Sequence, residues 1–123
     1  MSEDAAGDNA ERRRAEQPED LGRFFVERAN AGDLEGLVAL YEPNAVQAAP
    51  GGAPAAGTDA IRRALGQFLA GNPKLSGVSQ PALRLGDLAL TSTRFDGGAT
   101  AEVARRQPDG TWRWIIDQPR IVG

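Results

Sequence analysis

The chain has 123 residues, 41% hydrophobic and 25% charged, with a formal net charge of −3, which suits one folded domain with one core. It contains no cysteine and no histidine, so disulfides, thiolate nucleophiles, histidine-liganded metals and histidine-based triads are excluded, and acid–base work falls to Asp, Glu, Tyr or Lys. The acidic balance speaks against nucleic acid or an anionic membrane as partner. No run approaches the roughly 18 apolar residues of a membrane span, and the first residues lack the apolar centre of a secretory signal, so a cytoplasmic protein is expected.

Residues 1–17 mix both charge signs, including the run Glu11 to Arg14, and carry almost no large apolar side chain. They are expected to form a disordered tail ahead of a single domain at 18–123. A helix is predicted from Pro18, with Glu19 and Asp20 at the positive end of its dipole. Leu21, Phe24, Phe25 and Ala29 follow helical spacing, and Gly32 supplies the stop. Asp33 then caps a second helix in which Leu34, Leu37, Val38 and Tyr41 share a stripe, ended by Glu42 and Pro43. A short strand at Ala45 to Ala49 and a Gly/Ala/Pro loop follow. A third helix opens at Thr58 or Asp59, aligns Ile61, Leu65, Phe68 and Leu69, and closes at Gly71 to Pro73. The period then changes to two, giving strands at Val78 to Leu85, Leu88 to Phe95, Ala99 to Arg106 and Thr111 to Val122. Turn chemistry separates them at Gly86-Asp87, Asp96 to Gly98 and Pro108 to Gly110. Helices first and an antiparallel meander afterwards is an α+β layout in which three N-terminal helices cover one face of a curved, mainly antiparallel sheet.

A turn at Pro108 to Gly110 ending in a glycine bulge pairs Gln107 with Thr111. Counting outward, Glu102, Ala104, Trp112, Trp114 and Ile116 share one face, joined by Thr91, Thr93 and Phe95. Leu88, Leu90, Ser92, Arg94, Val103, Arg105, Arg113, Ile115 and Asp117 share the other. The first set goes beneath the helices, because two tryptophans and a phenylalanine need cover more than arginines do. A slip of one residue inverts the assignment. The second face, half apolar with charges at its rim, is expected to be buried in a homodimer.

The stretch "ANAGDLEGLVALYEPNAV" (29–46), with "GTDAIRRALGQFL" (57–69) and "DGTWRWIIDQP" (109–119), resembles the nuclear transport factor 2-like superfamily, and within it the SnoaL-like and ketosteroid-isomerase-like proteins. The resemblance covers about residues 19–119 and implies a cone enclosing a ligand pocket, commonly with dimerisation through the sheet. It does not carry the isomerase machinery with it. The acid tyrosine of ketosteroid isomerases falls on Phe25, and their base aspartate falls on Ala49 in "AAPGG". Their third polar member, a carboxylic acid before the final hairpin, falls on Glu102 or its neighbour. Tyr41 matches a supporting tyrosine of some members.

Three functional readings follow. The first is a binder of a small hydrophobic metabolite, held by Phe25, Tyr41, Phe68, Phe95, Trp114 and Ile116 with Glu102 as polar anchor. The second is an isomerase, cyclase or hydratase-like enzyme using Glu102 as its acid–base group, since a carboxyl in an apolar cavity holds its proton towards neutrality. The third is a non-catalytic dimerisation module whose cavity is filled by side chains. For Glu102 the competing structural role is an ion pair with Arg106 or Arg62; for Asp117 it is an ion pair with Arg113 or Arg94 on the dimer face, unless the register is inverted and Asp117 becomes a second pocket acid. No metal or cofactor is called for. The segment 51–57 is no phosphate cradle and reads as a lid or a surface loop.

Overall fold

A computed structural model describes residues 12–49 and 52–122, with three helices and eight strands. Helix α1 (Pro18–Asn30) begins where Asp20 Oδ2 accepts the backbone N–H groups of Glu16 and Gln17 at 3.1 and 3.0 Å. These bonds satisfy donors that a helix start leaves open. Gly32, at φ +69°, turns the chain, and Asp33 caps α2 (Leu34–Val38) by accepting the Gly36 N–H at 3.0 Å. Helix α3 (Thr58–Ala70) lays Ile61 and Leu65 against the core.

The strands are β1 (Tyr41–Gln47), β2 (Ala55–Ala56), β3 (Val78–Ser79), β4 (Leu83–Leu85), β5 (Leu88–Thr91), β6 (Thr93–Phe95), β7 (Gly98–Arg106) and β8 (Trp112–Val122). Their lateral order is β2-β1-β8-β7-β5-β4, with β6 also beside β7 and β3 beside β6. Every pairing is antiparallel except β1 with β8. The result is the expected α+β shell, with Leu21, Leu37, Ile61, Leu65, Ala104, Trp112 and Trp114 in the core between helices and sheet.

Four local expectations change. Helix α2 stops at Val38 rather than running to Tyr41, because Leu40 and Tyr41 are taken by the sheet: Trp114 N–H donates to Leu40 O at 2.8 Å, and Tyr41 is the parallel partner of Trp114. The first strand therefore spans Tyr41–Gln47 instead of starting at Ala45. The strands expected over Val78 to Leu85 and over Leu88 to Phe95 are each split: Gln80, Pro81 and Ala82 separate β3 from β4, where proline has no N–H to give a ladder, and Ser92 separates β5 from β6.

The fourth change concerns the tail. Residues 1–11 lie outside the described residues, but 12–17 are strapped onto the domain rather than free of it. Ala15 is buried and bridges Trp112, whose N–H donates to Ala15 O at 2.8 Å. Arg12 grips Asp33 through two bonds of 2.9 and 2.6 Å, and Arg14 reaches Asp109 at 2.8 Å. Arg13 and Arg28 place their guanidinium groups 4.8 and 4.9 Å from the ring centre of Phe24. Composition missed this because arginine stems and guanidinium faces, not large apolar side chains, provide the contact.

Candidate functional site

The β7–β8 hairpin forms in the expected register at its turn: Gln107 N–H donates to Thr111 O, and Arg106 stands opposite Trp112. Ala104 pairs with Trp114, but the next pair is Val103 with Ile116. Ile115 is thus an extra residue in β8, a bulge that reverses the facing of the strand beyond it. Ile116, expected to line the pocket, is 53% exposed on the outer face, while Asp117, expected outside, is 4% exposed within. An ion pair of Asp117 with Arg113 or Arg94 is excluded by the same reversal.

The bulge assembles a polar row across four strands on the inner face. Thr91 (β5) pairs with Glu102 (β7), Glu102 with Asp117 (β8), and Asp117 with Gln47 (β1). All four are buried. Thr91 Oγ1 receives the indole N–H of Trp114 at 3.0 Å and donates to Glu102 Oε1 at 2.7 Å. Tyr41 donates its hydroxyl proton to Asp117 Oδ2 at 2.6 Å, and Gln47 Nε2 donates to the same oxygen at 3.0 Å. Glu102 does not form the alternative ion pair with Arg106 or Arg62: Arg62 binds Glu35 and Asp59, and Arg106 binds Asp87. Among the described residues, no salt bridge includes Glu102 or Asp117.

Burial without a cation governs the electrostatics. Glu102 is pushed up to about 7, first by burial and further by the charge of Asp117, against the opposing hydroxyls of Thr100 and Thr91. Asp117 is also raised by burial, with Tyr41 and Gln47 pulling the other way. Burial and the neighbouring Asp117 hold the Tyr41 hydroxyl well above the usual phenol range. A carboxyl with its proton retained near neutrality is suited to donating it, and a neighbouring anion to taking one.

Two aromatic residues adjoin this row, Tyr41 through Asp117 and Trp114 through Thr91, and further rings follow from them. Trp114 stands 5.3 Å from Tyr41 and 6.0 Å from Phe25, which is 6.1 Å from Phe68. Phe25 is half-buried and Phe68 is 38% exposed. Of the expected lining residues, Phe25, Tyr41, Phe68 and Trp114 form one chain of rings, in which Trp114 reaches Glu102 through Thr91. Phe95 does not: it packs against Gly98 at the far end of the sheet, with the Arg120 guanidinium 5.7 Å from its ring centre. Clefts of about 460 Å³ (Glu19, Arg23 and 77–81) and about 310 Å³ (beside Arg13, Arg14 and Phe24) lie elsewhere and border neither carboxyl. Ala49 follows β1, where its carbonyl accepts the Gly52 N–H at 3.4 Å.

Sequence reasoning passed over Gln47 altogether and placed Asp117 on the wrong side. The available signal was "WIIDQP": strict alternation cannot keep Trp114 and Asp117 on one face, but one extra residue in the Ile-Ile pair does.

A family model for the SnoaL-like domain matches residues 22–123. Among curated proteins none matches the chain. Solved structures share its fold. A candidate calcium/calmodulin-dependent protein kinase type II association domain from Thiobacillus denitrificans is 18% identical, with 88% of this chain and 98% of that one covered at a TM-score of 0.68. A candidate dehydratase of the NTF2-like family from Streptomyces avermitilis is 19% identical, with coverage of 84% and 92% and a TM-score of 0.68. A ketosteroid isomerase-like protein from Erwinia carotovora atroseptica is 15% identical, with coverage of 85% and 94% and a TM-score of 0.66. With the family model spanning most of its length, and the same shell recurring in these structures, the chain belongs to the SnoaL-like domain family.

Proposed function

We propose that this chain binds a small, largely apolar, neutral molecule between Phe25, Phe68 and Trp114, anchors its polar group on Glu102 and Asp117, and exchanges a proton with it. The observation that carries this reading is a pair of neighbouring carboxyls, each 4% exposed, with no cation paired to them among the described residues. Burying such groups costs several kcal/mol each, and an aliphatic pair at the same positions would cost nothing of the kind. Conflicts of this type between burial and residue choice concentrate at sites under functional demand. Phe25 and Ala49 carry no exchangeable proton, so the chemistry rests on the carboxyl pair and not on the positions used by ketosteroid isomerases. The exposed edge of Phe68 is the way in, and its ring must swing to admit a ligand. Candidate dehydratase and ketosteroid isomerase-like relatives share the fold, which agrees with acid–base use of the same shell.

A native mass spectrum of protein purified from its own host tests the binding. The expected result is a small co-purifying molecule whose occupancy falls in Phe68→Asp. Protein that emerges empty, with tryptophan emission unmoved by a panel of cyclic alcohols and ketones, would overturn the reading. Loss of turnover in Glu102→Gln with affinity retained would mark the site as catalytic.

We infer further that a second copy of the chain covers the outer sheet face. Leu83, Leu90, Val103, Ile116 and Val46 are successive lateral partners across five strands, and four of them are 38–71% exposed. Five strands span roughly 20 Å, wide enough for the ~800 Å² per partner of a standard interface. The rim carries the ion pair Arg105–Glu42 at 2.8 Å. A twofold axis through such a row sets aliphatic against aliphatic.

One observation favours a second reading, a module for association alone. The rings of Phe25, Phe68 and Trp114 already touch, and among the described residues every buried side-chain nitrogen and oxygen has a partner. The candidate association domain of the same fold fits this reading.

A further inference from the structure

We propose that the carboxyl pair is divided into a fixed proton acceptor, Asp117, and a fixed proton donor, Glu102, and that Tyr41 and Gln47 are the positioning residues that impose the division. This division deepens the proposed acid–base role of the site and rests on it. What each neighbour can do with a proton sets the two roles. An amide NH₂ only donates. Gln47 Nε2 lies 3.0 Å from Asp117 Oδ2 and 3.3 Å from the Tyr41 hydroxyl oxygen. The phenol therefore has a lone pair engaged by Gln47 and turns its own proton to Asp117, at 2.6 Å. Oδ2 of Asp117 thus faces two donors and has nowhere to direct a proton of its own. Both donors converge on Oδ2, so in this division Oδ1 is the oxygen that takes the ligand's proton.

Glu102 has a different set of neighbours. Its side-chain hydrogen bond comes from Thr91, which takes the Trp114 N–H and donates to Oε1. A hydroxyl keeps a second lone pair and can turn to accept from a protonated Glu102, which the Gln47 amide beside Asp117 cannot do. Trp114 fixes Thr91 in place by donating its indole N–H. The titratable groups acting on the pair are few: Tyr41 from β1 and the two carboxyls from β7 and β8. The helices contribute Phe25 and Phe68, and Arg105 of β7 is engaged outside by Glu42. The charge of an ionised Asp117 raises Glu102, as an anion beside a carboxyl does.

The chemical consequence is a one-proton relay. A ligand that presents an acidic O–H or C–H to Asp117 Oδ1 and a lone pair to Glu102 loses a proton to the first and receives one from the second. The proton count of ligand plus site is unchanged. Return of the proton from Asp117 to its strand neighbour Glu102 restores the starting state, with no redox partner required. A ligand carboxylate is rejected by the charge of Asp117. The ligand class is therefore neutral, with a donor or acidic proton and an acceptor oxygen a few bonds apart.

Carbon-detected NMR titration of the side-chain carboxyls in the full chain, without ligand, tests the division. In the wild type, Asp117 is expected to ionise at lower pH than Glu102. In Gln47→Leu and in Tyr41→Phe, Asp117 is expected to move up by about one pH unit or more, drawing Glu102 down as the two compete for a proton. Glu102 ionising first, or both midpoints unmoved in the two variants, overturns the proposal. Gln47→Leu, close in volume, carries the test should Tyr41→Phe fail to fold. Reversed midpoints would refute the division and spare the binding reading, whereas the expected midpoints in protein that takes up no ligand would do the opposite.

Discussion

The two faces of one sheet differ here in an inverted sense. Inside runs Thr91, Glu102, Asp117 and Gln47; one residue away, outside, run Leu90, Val103, Ile116 and Val46 across the same four strands. An isolated domain would gain by exchanging them, since burying an aliphatic side chain contributes about 1.5–3 kcal/mol and burying a carboxyl costs that or more. This inversion is what the proposed ligand inside and the proposed second copy outside would each account for. Polarity placed against the solvent gradient is the most informative feature of the molecule, because folding alone gives no reason for it.

Of the two faces, the inner one is expected to respond more strongly to substitution. Trp114 is 2% exposed and links Phe25, Tyr41 and Thr91, so Trp114→Ala is expected to cost about 3–5 kcal/mol in a denaturant melt. The next effect depends on pH. Glu102 is pushed from 4.5 to about 7 in the folded chain, so the folded state holds this proton more tightly than the unfolded one. That contribution is complete below pH ~4.5 and is lost as pH rises towards 7, amounting to about 3 kcal/mol at ~1.4 kcal/mol per unit. Asp117, also raised, acts with the same sign. Glu102→Gln is expected to match the wild type at pH 4 and exceed it by up to about 3 kcal/mol at pH 8, read from denaturation midpoints across that range. A smaller effect on folding belongs to the outer face. Ile116→Lys is expected to abolish association in sedimentation velocity runs while changing monomer stability by no more than about 0.5 kcal/mol. A monomeric wild type would leave the exposed aliphatic row without a partner to account for it.

The layers of the fold were legible because period and turn chemistry are local. Leu21, Phe24, Ile61 and Leu65 announce helices by their spacing, and Asp109-Gly110 announces the last hairpin. The inner position of Glu102, Trp112 and Trp114 followed by counting from that turn. Counting failed at Ile115, because a bulge is fixed by what the neighbouring strands require and not by the bulged residue. Asp117 was misplaced and Gln47 passed over for the same reason: their partnership depends on the parallel pairing of β1 with β8, between residues 70 apart in sequence. The spacing of Tyr41 fits a helical stripe, but the stronger demand comes from Trp114 across the sheet.

The strap ahead of the first helix bears on how this protein is handled in the laboratory. Composition places the natural cut site just before Pro18, yet trimming there would strip the Trp112 amide of its acceptor and release Asp33 from Arg12. Affinity tags and fusion partners belong upstream of Arg12, and an expression boundary drawn by eye at the helix start would yield a weakened domain.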